Sequence, residues 1–153
     1  MTTVFAAALA ALSLAVAPQS AAPSAQPAQL AGQALLDALF AKVEEAVRTE
    51  HQIDPAEEVA GGHQLAQGTT GDLDFEVAGG SYMIVGVCDE SCGDLDIRLT
   101  TADGELVGQD ILDDDTPVVT FQAEPGAGFR ATLGMTACGA ATCLSQAKVY
   151  KLD

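Results

Sequence analysis

The spacing of hydrophobic and polar residues changes once along the chain, and that change divides it. From Leu30 to about Glu50 the period is helical. Leu35, Leu36, Leu39, Phe40, Val43 and Val47 fall on one face, while Lys42, Glu44, Glu45 and Arg48 fall elsewhere. Apolar residues recurring every three or four positions make a stripe that must be buried against something. Glu44 and Arg48, four residues apart, support the helix as an ion pair. Pro55 and then Gly61-Gly62 end the pattern. Such a stripe either docks on the rest of the domain or engages a partner or a second copy.

After Gly62 the period becomes two. In the segment GDLDFEVAGG, Leu73, Phe75 and Val77 alternate with Asp72, Asp74 and Glu76, as in a strand buried on one face. SYMIVGVC is apolar on both faces, the composition of a central strand. DLDIRL alternates again, with Leu95, Ile97 and Leu99 inward and Asp94, Asp96 and Arg98 outward. Asp103-Gly104 signals a hairpin turn. ELVGQDIL, PVVTFQA, GFRATLGM and QAKVYKL complete a series of short strands separated by Gly, Asp and Pro turns. The fold class this implies is all-β, an antiparallel sandwich preceded by one amphipathic helix.

The N-terminus sets the compartment. Val4 to Ala17 is an apolar run, broken only by Ser13, of signal-peptide length and too short to span a bilayer. Ala15 and Ala17 offer a small-residue cleavage signal, although no Lys or Arg precedes the run and Pro18 follows it; either the true start lies upstream or the cut falls later, anywhere up to about Ala28. The Pro/Ala/Gln/Ser tract from Pro18 to Gln29 reads as a linker. The expected organisation is a signal peptide and linker over 1–28, a helix and connection over 29–61, and a β-sandwich over 62–153. The protein is accordingly periplasmic or secreted, without membrane insertion of the mature chain.

Export makes the cysteines readable. Cys88/Cys92 and Cys138/Cys143 are two tight pairs, and an even number in an oxidising compartment reads as disulfides. Local links within each pair need the least rearrangement of the chain. A four-thiolate zinc site is the rival, disfavoured by the compartment, and neither pair has the C-x-x-C spacing of a redox motif. With 22 acidic residues against 6 basic ones and a net charge of −16, the chain repels nucleic acid and anionic lipid. Cations, basic proteins or plain solubility are the open readings of that charge; the partner considered is a protein or a matrix, and the pattern does not specify an oligomeric state.

Several segments together resemble the bacterial pre-peptidase C-terminal domain. That family shows a G-x-Y strand, a D-L-D-L-x-L-x-D-x-x-G strand and turn, and a later G-x-Y strand. Here Gly80 and Tyr82, then Asp94, Leu95, Asp96, Ile97, Leu99, Asp103 and Gly104, then Gly128 and Phe129 occupy those positions. The similarity covers about residues 63–153. Phe129 stands where tyrosine is usual, and the two cysteine pairs are additional. The resemblance implies a jelly-roll-like β-sandwich in an exported bacterial protein. Members of the family usually trail a secreted peptidase; some assist export or bind a substrate matrix, and some hold calcium.

Catalytic patterns are sparse. His51 and His63 are the only histidines, and neither a G-x-S-x-G elbow nor an H-E-x-x-H motif occurs. Cysteines held in disulfides supply no nucleophile. Carboxylate pairs abound, yet a glycosidase cleft normally has aromatic sugar platforms, and tryptophan is absent. The chain therefore reads as no enzyme and as needing no cofactor. It is expected to bind a macromolecule or to stabilise an envelope or secreted environment. A small exported hydrolase, or an inhibitor of one, is the alternative from another class. A further alternative is a calcium-dependent module. Calcium takes about six to eight oxygen ligands, and Asp89, Asp94, Asp96, Asp113, Asp114 and Asp115, with Glu90 beside them, are candidate donors. Outward acids on strands equally serve as solvated edges.

Overall fold

A computed structural model describes residues 31–153; the signal peptide and linker expected over residues 1–28 lie outside the described residues. Helix α1 (Gln33–His51) precedes the strands β1 (Ala56–Leu65), β2 (Thr70–Val77), β3 (Gly80–Cys88), β4 (Cys92–Thr101), β5 (Leu106–Asp110), β6 (Val118–Ala123), β7 (Ala127–Cys138) and β8 (Cys143–Lys151). They form two four-stranded antiparallel sheets, ordered β1-β8-β3-β6 and β2-β7-β4-β5. The pairs β1·β8, β2·β7, β3·β6 and β4·β5 are those of one long hairpin. Rolling that hairpin adds β3·β8 and β4·β7 and produces a jelly roll.

The inward residues of the alternating strands fill the space between the sheets. Phe75 and Val77, then Leu95, Ile97 and Leu99, then Leu133 and Met135 meet Ile84, Val119 and Val149 from the other sheet. At the centre, Phe121 lies 5.0 Å from Phe129 and 5.5 Å from Tyr82, measured between ring centroids. Aromatic pairs at such distances contribute about 0.5–1.5 kcal/mol each beyond the area they bury.

Strand β3 is apolar on both faces because two different layers cover it. Tyr82 and Ile84 face the sandwich core, whereas Met83, Val85 and Val87, with Tyr150 of β8, lie beneath Leu36, Phe40 and Val47 of α1. The helix therefore docks on the sandwich. Tyr150 Oη donates to Glu44 Oε1 at 2.9 Å. Lys148 Nζ lies 4.7 Å from the Phe40 ring centroid and 2.6 Å from Glu57 Oε2. Glu44 is thus turned towards the sheet, and the expected Glu44–Arg48 pair does not form. Arg48 instead contacts Glu45 at 2.8 Å and Asp54 at 3.1 Å.

Two expected boundaries move. The first strand begins at Ala56, ahead of the expected sandwich boundary at 62, and runs through the glycines read as a break. A Cβ on Gly61 would lie 2.6 Å from Leu73 Cδ1, and one on Gly62 would lie 2.9 Å from the Ser145 carbonyl oxygen. Gly61 thus permits close approach of a β2 side chain from the other sheet, and Gly62 close approach of the neighbouring β8 backbone. Strand β5 ends at Asp110, short of the Ile111-Leu112 expected within it. The Asp110 carboxylate accepts the Leu112 and Val118 amides and turns the chain out of the sheet.

The cysteines pair as Cys88–Cys92 and Cys138–Cys143. The first link joins the end of β3 to the start of β4, and the second joins the end of β7 to the start of β8. Each therefore connects one sheet to the other, and both sit at the same end, where Cys92 lies opposite Cys138 in register. Loops this short stabilise by about 2 kcal/mol each in the chain-entropy account.

Candidate functional site

The stapled end gathers several of the acidic candidates and separates others. Asp89 is occupied: its Oδ2 accepts the Leu144 amide at 2.7 Å and its Oδ1 the Ser91 amide at 3.1 Å. It locks one disulfide loop against the other. Glu90 accepts the Gly32 amide at 2.9 Å, which fastens the start of α1 to the same loop. That N–H, followed by the residue's own amide, holds the Glu90 carboxyl below the usual carboxylate range.

Asp94 departs from the outward position that alternation assigned to it. The β4–β7 register shifts on both sides of it, so Asp94 and Leu95 are both buried. Asp94 is 9% exposed, and its Oδ1 is enclosed with no hydrogen-bond partner among the described residues. The Leu95 amide donates to the Asp114 carbonyl at 2.9 Å and brings the acidic turn over this point. Burial, reinforced by the charges of Asp96, Asp113 and Asp114, pushes the Asp94 carboxyl up. Three of the other members have local partners. Asp96 Oδ2 accepts from Thr136 Oγ1 at 2.8 Å, Asp114 Oδ1 from the Thr116 amide at 3.0 Å, and Asp115 Oδ1 from Thr116 Oγ1 at 3.0 Å. Among the described residues, no three His, Cys, Asp or Glu side chains come together as a metal-ligating group. The acidic candidates thus divide into Asp94 with its near neighbours and residues committed elsewhere.

A second region lies on the outer face of the β2-β7-β4-β5 sheet, which no helix covers among the described residues. Asp74, Glu76, Thr100, Gly128 and Arg130 line a cleft of about 620 Å³ there. Asp74 and Arg130 stand opposite each other on β2 and β7. Arg130 Nε donates to Asp74 Oδ1 at 2.6 Å and Nη2 to Oδ2 at 3.1 Å. This pairing holds the Asp74 carboxyl below its ordinary range and raises the arginine. Thr132 Oγ1 donates to Asp72 Oδ1 at 2.7 Å, extending the polar ladder across the face. Arg130 went unnoticed in the sequence. Its signal was a single base on an alternating strand, facing acids on a neighbour that alternation alone does not identify.

The histidines lie away from this cleft's lining. His51 is exposed at the end of α1, and His63 packs on Gly71 with its Nε2–H donating to the Asp72 carbonyl at 3.1 Å.

No family model matches the sequence, and no curated protein matches it either. Among solved structures, the chain is similar to the pre-peptidase C-terminal domain of collagenase from Bacillus anthracis. The TM-score is 0.47 at 15% identity, covering 60% of this chain and 87% of that chain.

Proposed function

We propose that this chain is an exported, non-enzymatic β-sandwich of the pre-peptidase C-terminal kind that holds a macromolecular partner on the open face of its second sheet. One observation carries this reading: α1 buries the outer face of the β1-β8-β3-β6 sheet, while among the described residues the other sheet keeps a broad polar face and cleft uncovered. The two disulfides support export, since such links persist in oxidising compartments. Asp74, paired with Arg130 and held below the ordinary carboxylate range, is poorly suited to proton transfer, which supports a binding role over hydrolysis. The test places a photo-crosslinking residue at Thr100, on the cleft, or at Glu50, on the exposed side of α1, in producing cells. A defined adduct from Thr100 alone, recovered from the periplasmic or secreted fraction, is the expected result. Equal labelling from both positions, or hydrolytic activity lost on changing His51 or His63, overturns it.

Calcium is a second reading, favoured by the enclosed Asp94 oxygen beside Asp96, Asp113 and Asp114. A bound cation would relieve the repulsion among these charges. Because no complete ligand group is preformed among the described residues, binding would require the acidic turn to close further.

A further inference from the structure

All the large hydrophobic side chains exposed among the described residues fall in one short stretch. Leu106 is 51% exposed, Ile111 57% and Leu112 67%, with Val107 and Val118 beside them. Asp110 gathers the far end of this strip by accepting both the Leu112 and Val118 amides. Five residue steps from Leu106 to Ile111 span at most about 17 Å in extended chain, the reach of a short strand.

The strip lies where two sheet edges meet. Strand β5 pairs only with β4 and β6 only with β3, so both are edge strands on the same side of the sandwich. Edge strands offer unpaired N–H and C=O groups, which proteins usually blunt with Lys, Pro or a bulge. Strand β5 reads LVGQD, without Lys or Pro; its one blunting device is a bulge at Val107, which leaves Gly108, Gln109 and Asp110 in regular pairing with β4.

Charge selects the occupant. Asp103, Glu105, Asp110, Asp113, Asp114 and Asp115 lie in or beside the strip, and no Lys or Arg occurs between Arg98 and Arg130. A second copy docking through the same edge would set carboxylates against carboxylates, which is unfavourable across paired strands. An extended segment alternating apolar and basic side chains complements both the apolar strip and its acidic rim. We infer that the β5 edge, with Leu106, Val107, Ile111, Leu112 and Val118, takes such a segment of a partner protein as an added strand. This rests on the reading of the chain as a binding module but concerns the edge of the sheet, not its open face. Main-chain pairing would supply affinity, and the acidic rim would supply selection.

The test uses fluorescence anisotropy of the full mature protein with a short peptide alternating Val and Lys. Its control is a peptide of the same composition with the valines and lysines in separate blocks. The alternating peptide is expected to bind saturably, more weakly as salt rises, and to slow amide hydrogen exchange in β5. Leu106→Ser with Ile111→Ser should weaken it by about tenfold or more, as should Asp113→Asn with Asp114→Asn and Asp115→Asn. Asp37→Asn on the helix should leave it unchanged. Equal affinity for the block peptide, no response to the edge variants, or no protection of β5 overturns the inference. So does a dimer in sedimentation that the Leu106/Ile111 variant dissociates, since the occupant is then a second copy. A Thr100 adduct in cells without edge binding would retain the open-face reading and reject this one.

Discussion

Replacing Asp94 with asparagine should make this protein more stable. The substitution preserves shape and removes one charge from a site where Oδ1 is enclosed without a partner among the described residues and Asp96, Asp113 and Asp114 stand nearby. A buried polar group left unsatisfied costs about 1–3 kcal/mol, and a charged one costs more. Asparagine retains a carbonyl oxygen there, so only part of that cost is recovered. Its amide hydrogens, however, can donate to the neighbouring carboxylates. A gain of about 1–2 kcal/mol at neutral pH follows, equivalent to several degrees in Tm for a domain of this size. The pH dependence gives a second check. Asp94 titrates higher folded than unfolded, so its penalty is absent below the unfolded value, where both states are protonated. The penalty grows as pH rises and is complete above the folded value. The advantage of Asp94→Asn should therefore vanish in acid and be full at neutrality. Urea unfolding of both proteins in chelator across that range measures it. A variant less stable than the parent at neutral pH in chelator would refute the argument, because the charge would then have a favourable partner within the fold. Repeating the measurement with calcium tests the second functional reading: the parent should gain stability and the variant should gain less.

Phe40→Ala should cost about 3–5 kcal/mol, the range for truncating a buried aromatic, with amide exchange in α1 accelerating before that in the sandwich. Helix exchange unchanged by the substitution would show that docking does not depend on this ring. The buried tyrosines should respond in opposite ways. Tyr150→Phe removes a bond to the Glu44 carboxylate and should destabilise by about 2 kcal/mol, whereas Tyr82→Phe removes a hydroxyl with no partner among the described residues and should be neutral or stabilising. Denaturant midpoints distinguish the two, and equal losses would contradict the assigned contacts.

Local alternation was enough to identify most of the sandwich. Phe75 and Val77 on β2, and Leu95, Ile97 and Leu99 on β4, lie inward where the period of two placed them. What escaped depended on neighbours distant in sequence. Strand β1 was missed because Gly61, Gly62 and His63 occupy positions where apolar side chains would have advertised a strand. Their fitness lies in Leu73, the Ser145 carbonyl and Gly71, which come from other strands. The end of β5 was missed because two exposed apolar residues, Ile111 and Leu112, resemble a strand's continuation until the Asp110 carboxylate is seen to turn them out. The same distinction governed the acidic candidates. Cysteine spacing was sufficient to suggest the pairings, but the separation of Asp94 from Asp89 was not local. It required two shifts in the β4–β7 register and an acidic turn drawn in by the Leu95 amide.

The residues carrying the family resemblance explain why it informs the fold more than the partner. Tyr82, Leu95, Ile97, Leu99 and Phe129 all lie in the sandwich core, and Gly104 supplies the positive φ of the β4–β5 turn. Each is needed to close two sheets around an apolar interior, whatever the outside meets. The surfaces available to a partner are formed largely by other positions: Asp74, Thr100 and Arg130 at the open cleft, and Leu106, Ile111 and the acidic turn at the β5 edge. The motif says almost nothing at these positions. A protein could therefore keep every core residue of the pattern and exchange its partner by changing only the face or the edge. Under the proposed binding role, specificity is to be sought there.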